Sequence, residues 1–140
     1  MQEILERAEV NSLKGNLSGI LSVLIEMKRS TNQDLRPLIV EVLDEYNTFD
    51  IDIEKIKERL KKQKIKNIKK INGLINGLKE NIVKIGIMFA NWLTTLEASQ
   101  EQINYILKET KDKLAGAISA YENLTENSAV KSLRAKLELI

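Results

Sequence analysis

Nine large apolar side chains recur at alternating steps of three and four residues in the second half of the chain. They are Ile68, Ile71, Ile75, Leu78, Ile82, Ile85, Phe89, Trp92 and Leu96. This spacing keeps side chains on one side of an α-helix. The pattern therefore predicts a helix with one continuous apolar seam, formed by these nine residues, which we expect to be buried and to serve as an interaction surface.

Two Asn-Gly pairs, Asn72-Gly73 and Asn76-Gly77, interrupt the composition of this segment. Asn-Gly usually marks a turn, and an interior glycine costs a helix about 1 kcal/mol relative to alanine. A turn, however, would reorient the chain, and the seam keeps its phase on both sides of the glycines. We predict a continuous helix over about 66–97, with a break near Gly73 as the alternative.

Other apolar stripes predict further helices. The stripe from Val10 to Met27 predicts a first helix over about 2–29. Asp34 as N-cap and Pro37 in the first turn indicate a second over about 35–46, which the turn-like YNTFD (46–50) would end. A third would begin near Asp52 and continue to 97 if it has no break. Ser99 and Gln102 form a capping-box pattern for a fourth, over about 99–122. Asn127 or Ser128 would cap a last helix, marked by Val130, Leu133, Leu137 and Ile140.

The predicted fold is all-α: an elongated bundle of about five helices in one domain, 1–140, with one long central helix and antiparallel, coiled-coil-like packing. A helix over 52–97 would be roughly 69 Å long, so a second long helix would have to cover its seam. That predicts self-association. The alternative is a monomeric four-helix bundle with a break near Gly73 or near Lys61–Lys64.

The composition limits the available chemistry, because the chain has no cysteine and no histidine. Disulfides, thiolate nucleophiles and Cys-based metal sites are excluded, as is the commonest general base. Asp50, Asp52 and Glu54 cluster at a predicted helix start, where acids ordinarily complement the helix dipole. We expect no catalytic site, no metal, no cofactor and no small-molecule substrate.

The opening MQEILERAEV contains three glutamates and differs from a signal peptide. No apolar run reaches the ~20 residues that span a bilayer. We therefore expect a cytoplasmic location. Segment 82–93 is apolar nearly all round, so burial in a bundle and peripheral membrane association are both open, and burial is favoured because the seam passes through it.

Positive charge is concentrated in residues 55–70, which contain nine Lys or Arg and one acid, a net charge of +8 in a chain of +2. If one helix spans the region, one of its sides presents Lys55, Lys62, Lys66, Lys69 and Lys70 to a polyanion such as a nucleic-acid backbone. The segment contains no aromatic residue that could stack on a base. The alternative is an ordinary solvated helix face.

Two Gly-x-x-x-Gly pairs, Gly15/Gly19 and Gly73/Gly77, could allow close approach of two helices, or could be coincidental. Together the patterns give three hypotheses of function. The first is a non-catalytic protein that binds protein, including itself, by burying its seam against the Val10–Met27 stripe and the fourth helix. The second is a nucleic-acid backbone binder that uses 55–70. The third is membrane association through 82–93.

Overall fold

The computed structural model describes residues 5–30, 34–63, 65–94, 99–125 and 130–140. They form five α-helices and contain no strand. The helices are α1 Arg7–Arg29, α2 Arg36–Lys62, α3 Ile68–Trp92, α4 Gln100–Thr125 and α5 Val130–Glu138. The predicted all-α bundle of about five helices is confirmed. The first four helices have similar lengths, 23 to 27 residues.

The first four helices form an antiparallel ring. Each packs against the next along the chain, and α4 also packs against α1; α5 lies against α1 and α4. Cross-helix contacts show the directions: Asn16 meets Asp52 near the middle of α1 and α2, whereas Glu9, earlier in α1, meets Arg59, later in α2. All five helices contribute aliphatic side chains to one core cluster. Burial of each large aliphatic side chain stabilises the fold by roughly 1.5–3 kcal/mol.

The predicted break at 46–50 is wrong, because α2 continues through this segment. Its apolar residues keep steps of three and four: Ile39, Val42, Tyr46, Phe49, Ile53, Ile56 and Leu60 face the core, with Tyr46 partly buried and the others buried. The polar residues that suggested a turn lie between these positions. Thr48 donates its hydroxyl proton to the main-chain carbonyl oxygen of Asp44, 3.1 Å away, so its hydroxyl group has a hydrogen-bond acceptor within the helix. Core packing thus outweighs the poor helix propensity of this segment.

The chain reverses between α2 and α3, so no single helix spans 52–97. Asn67 has the left-handed φ of 63°, a conformation that asparagine adopts more readily than most residues. This break lies beside Lys61–Lys64, the site named in the four-helix-bundle alternative. Residues 61–64 are Lys-Lys-Gln-Lys, so this segment has no apolar side chain that could hold a continuing helix against the core.

The helix continues through both Asn-Gly pairs, as predicted. α3 covers 68–92 without interruption. A Cβ atom at Gly73 or Gly77 would meet nothing within 4 Å, so these glycines lie on an open side of the helix. α3 begins at Ile68 and ends at Trp92, inside the predicted limits of about 66 and 97, and residue 97 itself lies outside the described residues.

Several helix ends differ from the predictions. α1 begins at Arg7 and not near Gln2, because the main chain is extended at Glu6, whose N–H donates to the Glu9 carboxylate over 2.9 Å. Pro37 lies in the first turn of α2 as predicted, but the N-cap is Leu35 and not Asp34. The Asp34 carboxylate still accepts the N–H of Arg36 just outside the helix. Ser99 and Gln102 form the predicted capping box. α4 extends to Thr125, while Asn127 and Ser128 lie outside the described residues.

Candidate functional site

The predicted seam lies inside this chain's own core. Ile71, Ile75, Leu78, Ile82, Ile85, Phe89 and Trp92 are buried, and Ile68 is partly buried against the same cluster. Leu96 lies outside the described residues. Because the other helices of the chain cover these side chains, no second copy is needed to exclude water from them. The seam is therefore a folding element here, and any interaction surface has to be sought elsewhere.

The helices that cover the seam are α2 and α4. The predicted contact with the fourth helix is thus present. The Val10–Met27 stripe shares the core cluster with the seam, but among the described residues the backbones of α1 and α3 do not pack as neighbours. They occupy opposite corners of the ring. The α1 stripe is buried instead against α2, α4 and α5.

The two Gly-x-x-x-Gly pairs do not face each other, so the coincidental reading holds. Close approach occurs at other pairs. A Cβ atom at Gly86 of α3 would lie 3.1 Å from the ring of Tyr46 in α2, and one at Gly19 of α1 would lie 2.6 Å from the Glu45 carboxyl carbon. Partial burial beside Gly19, together with the nearby charge of Asp44, raises the pKa of Glu45 above its ordinary value.

The three acids Asp50, Asp52 and Glu54 face different neighbours. Asp52 points to α1, where it accepts hydrogen bonds from the Ser12 hydroxyl and, at 2.8 Å, from the side-chain amide of Asn16. The other two point to α3 and flank the ammonium group of Lys79. The hydrogen bond from Lys79 lowers the pKa of Glu54. The described part of the chain contains no group of three carboxylates that could hold a metal ion.

Polar contacts also connect the beginning of α1 to α2 and α4. The guanidinium of Arg59 donates to both carboxylate oxygens of Glu9, which raises the pKa of Arg59. The buried hydroxyl of Tyr121 donates to the carbonyl oxygen of Val10 over 3.0 Å, and burial raises the pKa of Tyr121 to about 12. These polar groups serve the packing of helices on one another.

The predicted polyanion-binding lysines do not line one side of a single helix, because the chain reverses between them. Lys55 and Lys62 belong to α2, Lys66 lies in the connection, and Lys69 and Lys70 lie in the first turn of α3. All five side chains are exposed. The last four surround the α2–α3 connection, and we call Lys62, Lys66, Lys69 and Lys70 the lysine tip. Lys55 lies about 10 Å down α2 from Lys62.

Acids near the lysine tip have other cationic partners. Glu6 and Glu9 pair with Arg59, and Glu122 pairs with Arg134. The lysines of the tip make no ion pair with any described residue. Glu58 is the one nearby acid that also lacks an ion pair within the described ranges. The tip therefore keeps most of its positive charge. The sequence shows the excess of lysine, but only the structure shows that the nearby acids pair with other cations.

The outer face of α2 exposes two large aliphatic side chains, which the sequence analysis did not single out. Val40 is 45% and Ile51 56% exposed. They are eleven residues apart, which places them on the same side of the helix. Asp44, four residues after Val40, and Lys55, four residues after Ile51, are exposed on this side as well. We call Val40, Asp44, Ile51 and Lys55 the α2 outer face.

Most of the apolar side chains of segment 82–93 point inward. Ile82, Ile85, Phe89 and Trp92 are in the core, and the large apolar residue that the segment exposes is Ile87. The prediction of burial is thus confirmed for these residues. Among the described residues, no helix combines the length and the apolar composition needed to cross a lipid bilayer.

Comparisons of the chain with protein-family models, with curated proteins and with solved structures gave no match.

Proposed function

We propose that this chain is a non-catalytic helical-bundle protein that acts through protein–protein interaction, beginning with a second copy of itself. The contact would use the α2 outer face in place of the internal seam. The observation that carries this proposal is the exposure of Val40 and Ile51 on one side of α2. Apolar side chains exposed on one side of a helix can pack against the same side of a second helix and bury apolar surface there.

Charge complementarity supports a second copy as the partner. On the α2 outer face, the first half of the helix exposes the acid Asp44 and the second half exposes the base Lys55. When two α2 helices pair antiparallel about a two-fold axis, the acidic half of each lies against the basic half of the other. Such a contact uses the same surface on both copies and closes without forming a filament.

The register of this pairing follows from the same residues. With the axis between Asp44 and Lys55, Asp44 of each copy lies opposite Lys55 of the other, and the two Ile51 side chains pack near the axis. The ion pairs would add specificity more than affinity, and the aliphatic side chains would supply apolar burial.

A charge-exchange experiment tests this proposal. Light scattering should give the wild type about twice the chain mass of 16.0 kDa. Asp44→Lys alone and Lys55→Glu alone should each be monomeric, because each places like charges opposite one another. An equimolar mixture of the two should dimerise, since a mixed pair restores both attractions. Ile87→Ser, which changes an equally exposed residue on α3, is the control and should leave the dimer intact.

Monomeric mass for the wild type at high concentration would refute the self-association. So would a mixture of the two charge variants that stays monomeric.

A further inference from the structure

We propose that the lysine tip binds the phosphodiester backbone of a nucleic-acid duplex without sequence preference. The four lysines belong to two antiparallel helix ends and to the connection between them, so they project together from one end of the bundle. This site is separate from the α2 outer face and does not depend on the proposed self-association.

The pairing of charges around the tip supports a ligand from outside the chain. Two arginines toward this end of the bundle are committed to acids: Arg59 to Glu9 and Arg134 to Glu122. The tip lysines have no such partner among the described residues. Four exposed ammonium groups in one region repel each other, and a polyanion would relieve that repulsion while releasing its own counterions.

The first turn of α3 adds to this repulsion. Lys69 and Lys70 lie there, no acid does, and the N-cap residue Asn67 makes no side-chain capping bond. Positive charge at the N-terminal end of a helix opposes the helix dipole and costs the fold some stability. Local arrangements that lower stability are most often found where a protein functions. A phosphate beside these lysines would offset both the dipole and the charge repulsion.

The neighbouring side chains favour a duplex over two other anionic ligands. Residues 55–70 contain no aromatic ring, so single-stranded bases would find nothing to stack on. Leu60 and Ile71 are buried, and Ile65 and Ile68 are partly buried against the core. The described residues of the tip therefore offer no fully exposed large apolar side chain for insertion into a membrane surface. A duplex instead presents closely spaced phosphates on two strands, and lysines that approach from two helices can each contact one.

Salt dependence gives the first measurement. The full chain is titrated against fluorescent DNA and RNA duplexes of mixed sequence at monovalent salt between about 50 and 300 mM. Four phosphate contacts predict a slope of log K against log salt of about −3.6, at ~0.9 per contact. The two duplexes distinguish the sources of the shared backbone chemistry, and several sequences should bind equally well.

Two matched triple variants locate the contact. Replacing Lys66, Lys69 and Lys70 with glutamine should flatten the slope by about 2.7 and lower affinity about 500-fold at 0.1 M salt. Replacing Lys14, Lys108 and Lys131 with glutamine removes the same charge elsewhere and should leave the slope unchanged. The control triple should leave the melting temperature unchanged, and the tip triple should raise it slightly, because it removes positive charge that opposes the α3 dipole.

The proposal is overturned if neither duplex binds at the lowest salt concentration, or if the two triples weaken binding equally. It is also overturned if the protein sediments with phosphatidylserine vesicles while it ignores both duplexes, which would make an anionic lipid surface the ligand. The mixture of Asp44→Lys and Lys55→Glu should dimerise and should keep the salt slope of duplex binding. Light scattering and duplex titration therefore report self-association and duplex binding separately.

Discussion

Tyr121, in the last quarter of α4, donates its phenolic proton to the main-chain carbonyl oxygen of Val10 in the first turn of α1, 111 residues away, over 3.0 Å. The hydroxyl is buried and fastens the two helices that close the ring. α1 and α4 are the first and last helices of the ring and do not follow each other in the chain. This hydrogen bond is therefore one of the contacts that close the ring.

Tyr121→Phe should lower the free energy of unfolding by about 1 kcal/mol at neutral pH, since the ring stays and one hydrogen bond is lost. The pH dependence has a defined sign. Burial raises the pKa of the folded state to about 12 from an ordinary 10.0, so the unfolded chain ionises first and stability falls as pH rises from about 10 to 12. Denaturant titrations should show the advantage of the wild type shrinking over that range and then changing sign, because only the wild type has a buried group that must ionise. A constant difference would contradict the assigned cause.

Gly73→Ala and Gly77→Ala should each raise the free energy of unfolding, by up to about 1 kcal/mol. Both positions are helical, and an added Cβ atom meets nothing within 4 Å. Gly86→Ala is the matched control: its Cβ would lie 3.1 Å from the Tyr46 ring, so no gain is expected there. Thermal and chemical unfolding of the three variants measures the contrast. Equal gains at all three positions would argue against the contact between α2 and α3.

Asp52→Ala should lower the free energy of unfolding by about 1–3 kcal/mol, because it leaves the buried amide of Asn16 without its acceptor. A double-mutant cycle with Asn16→Ala should give a coupling of about 0.5–3 kcal/mol. Glu41→Ala, an exposed acid eleven residues earlier on α2, should change stability by less than about 0.5 kcal/mol. Additive effects of the two single variants would mean that the hydrogen bond does not join α1 to α2 in solution.

Ile75→Asp and Ile82→Asp should each prevent stable folding, since both side chains are fully buried and an unpaired charge in the core is very costly. Ile87→Asp, on the same helix but 56% exposed, should fold with nearly unchanged stability. Circular dichroism and melting curves distinguish these outcomes. Folded, normally stable Ile75→Asp and Ile82→Asp proteins would show that the seam is not the core of this bundle.

Much of the fold could be predicted because apolar spacing records which side of a helix is buried. The phase of the seam predicted α3 through both glycine pairs, and Ser99 with Gln102 predicted the start of α4. The same rule, applied to Tyr46 and Phe49, also predicts that α2 is continuous. The prediction followed the turn-like composition of 46–50 and not this spacing. In the protein, packing of the apolar side chains against the core outweighs the low helix propensity of these residues.

The candidate surfaces could be predicted less completely. The excess of lysine over 55–70 is visible in the sequence, but the acids that neutralise Arg59 and Arg134 come from α1 and α4, far away along the chain. The exposure of Val40 and Ile51 was equally hidden, since aliphatic residues in a helix are ordinarily expected to be inside. Only the neighbours of each side chain decide whether it is paired, covered or available.

By itself, the sequence determined the helical class, the buried side of α3 and the absence of cysteine and histidine chemistry. The tertiary structure alone decided that α2 and α4 cover the seam, that α1 lies diagonally across from it, and that the charges of 55–70 gather at a reversal of the chain. The physical reason is that an apolar stripe specifies burial without specifying a partner. The partner is selected by where the chain reverses and by which side chains fit together once it has done so.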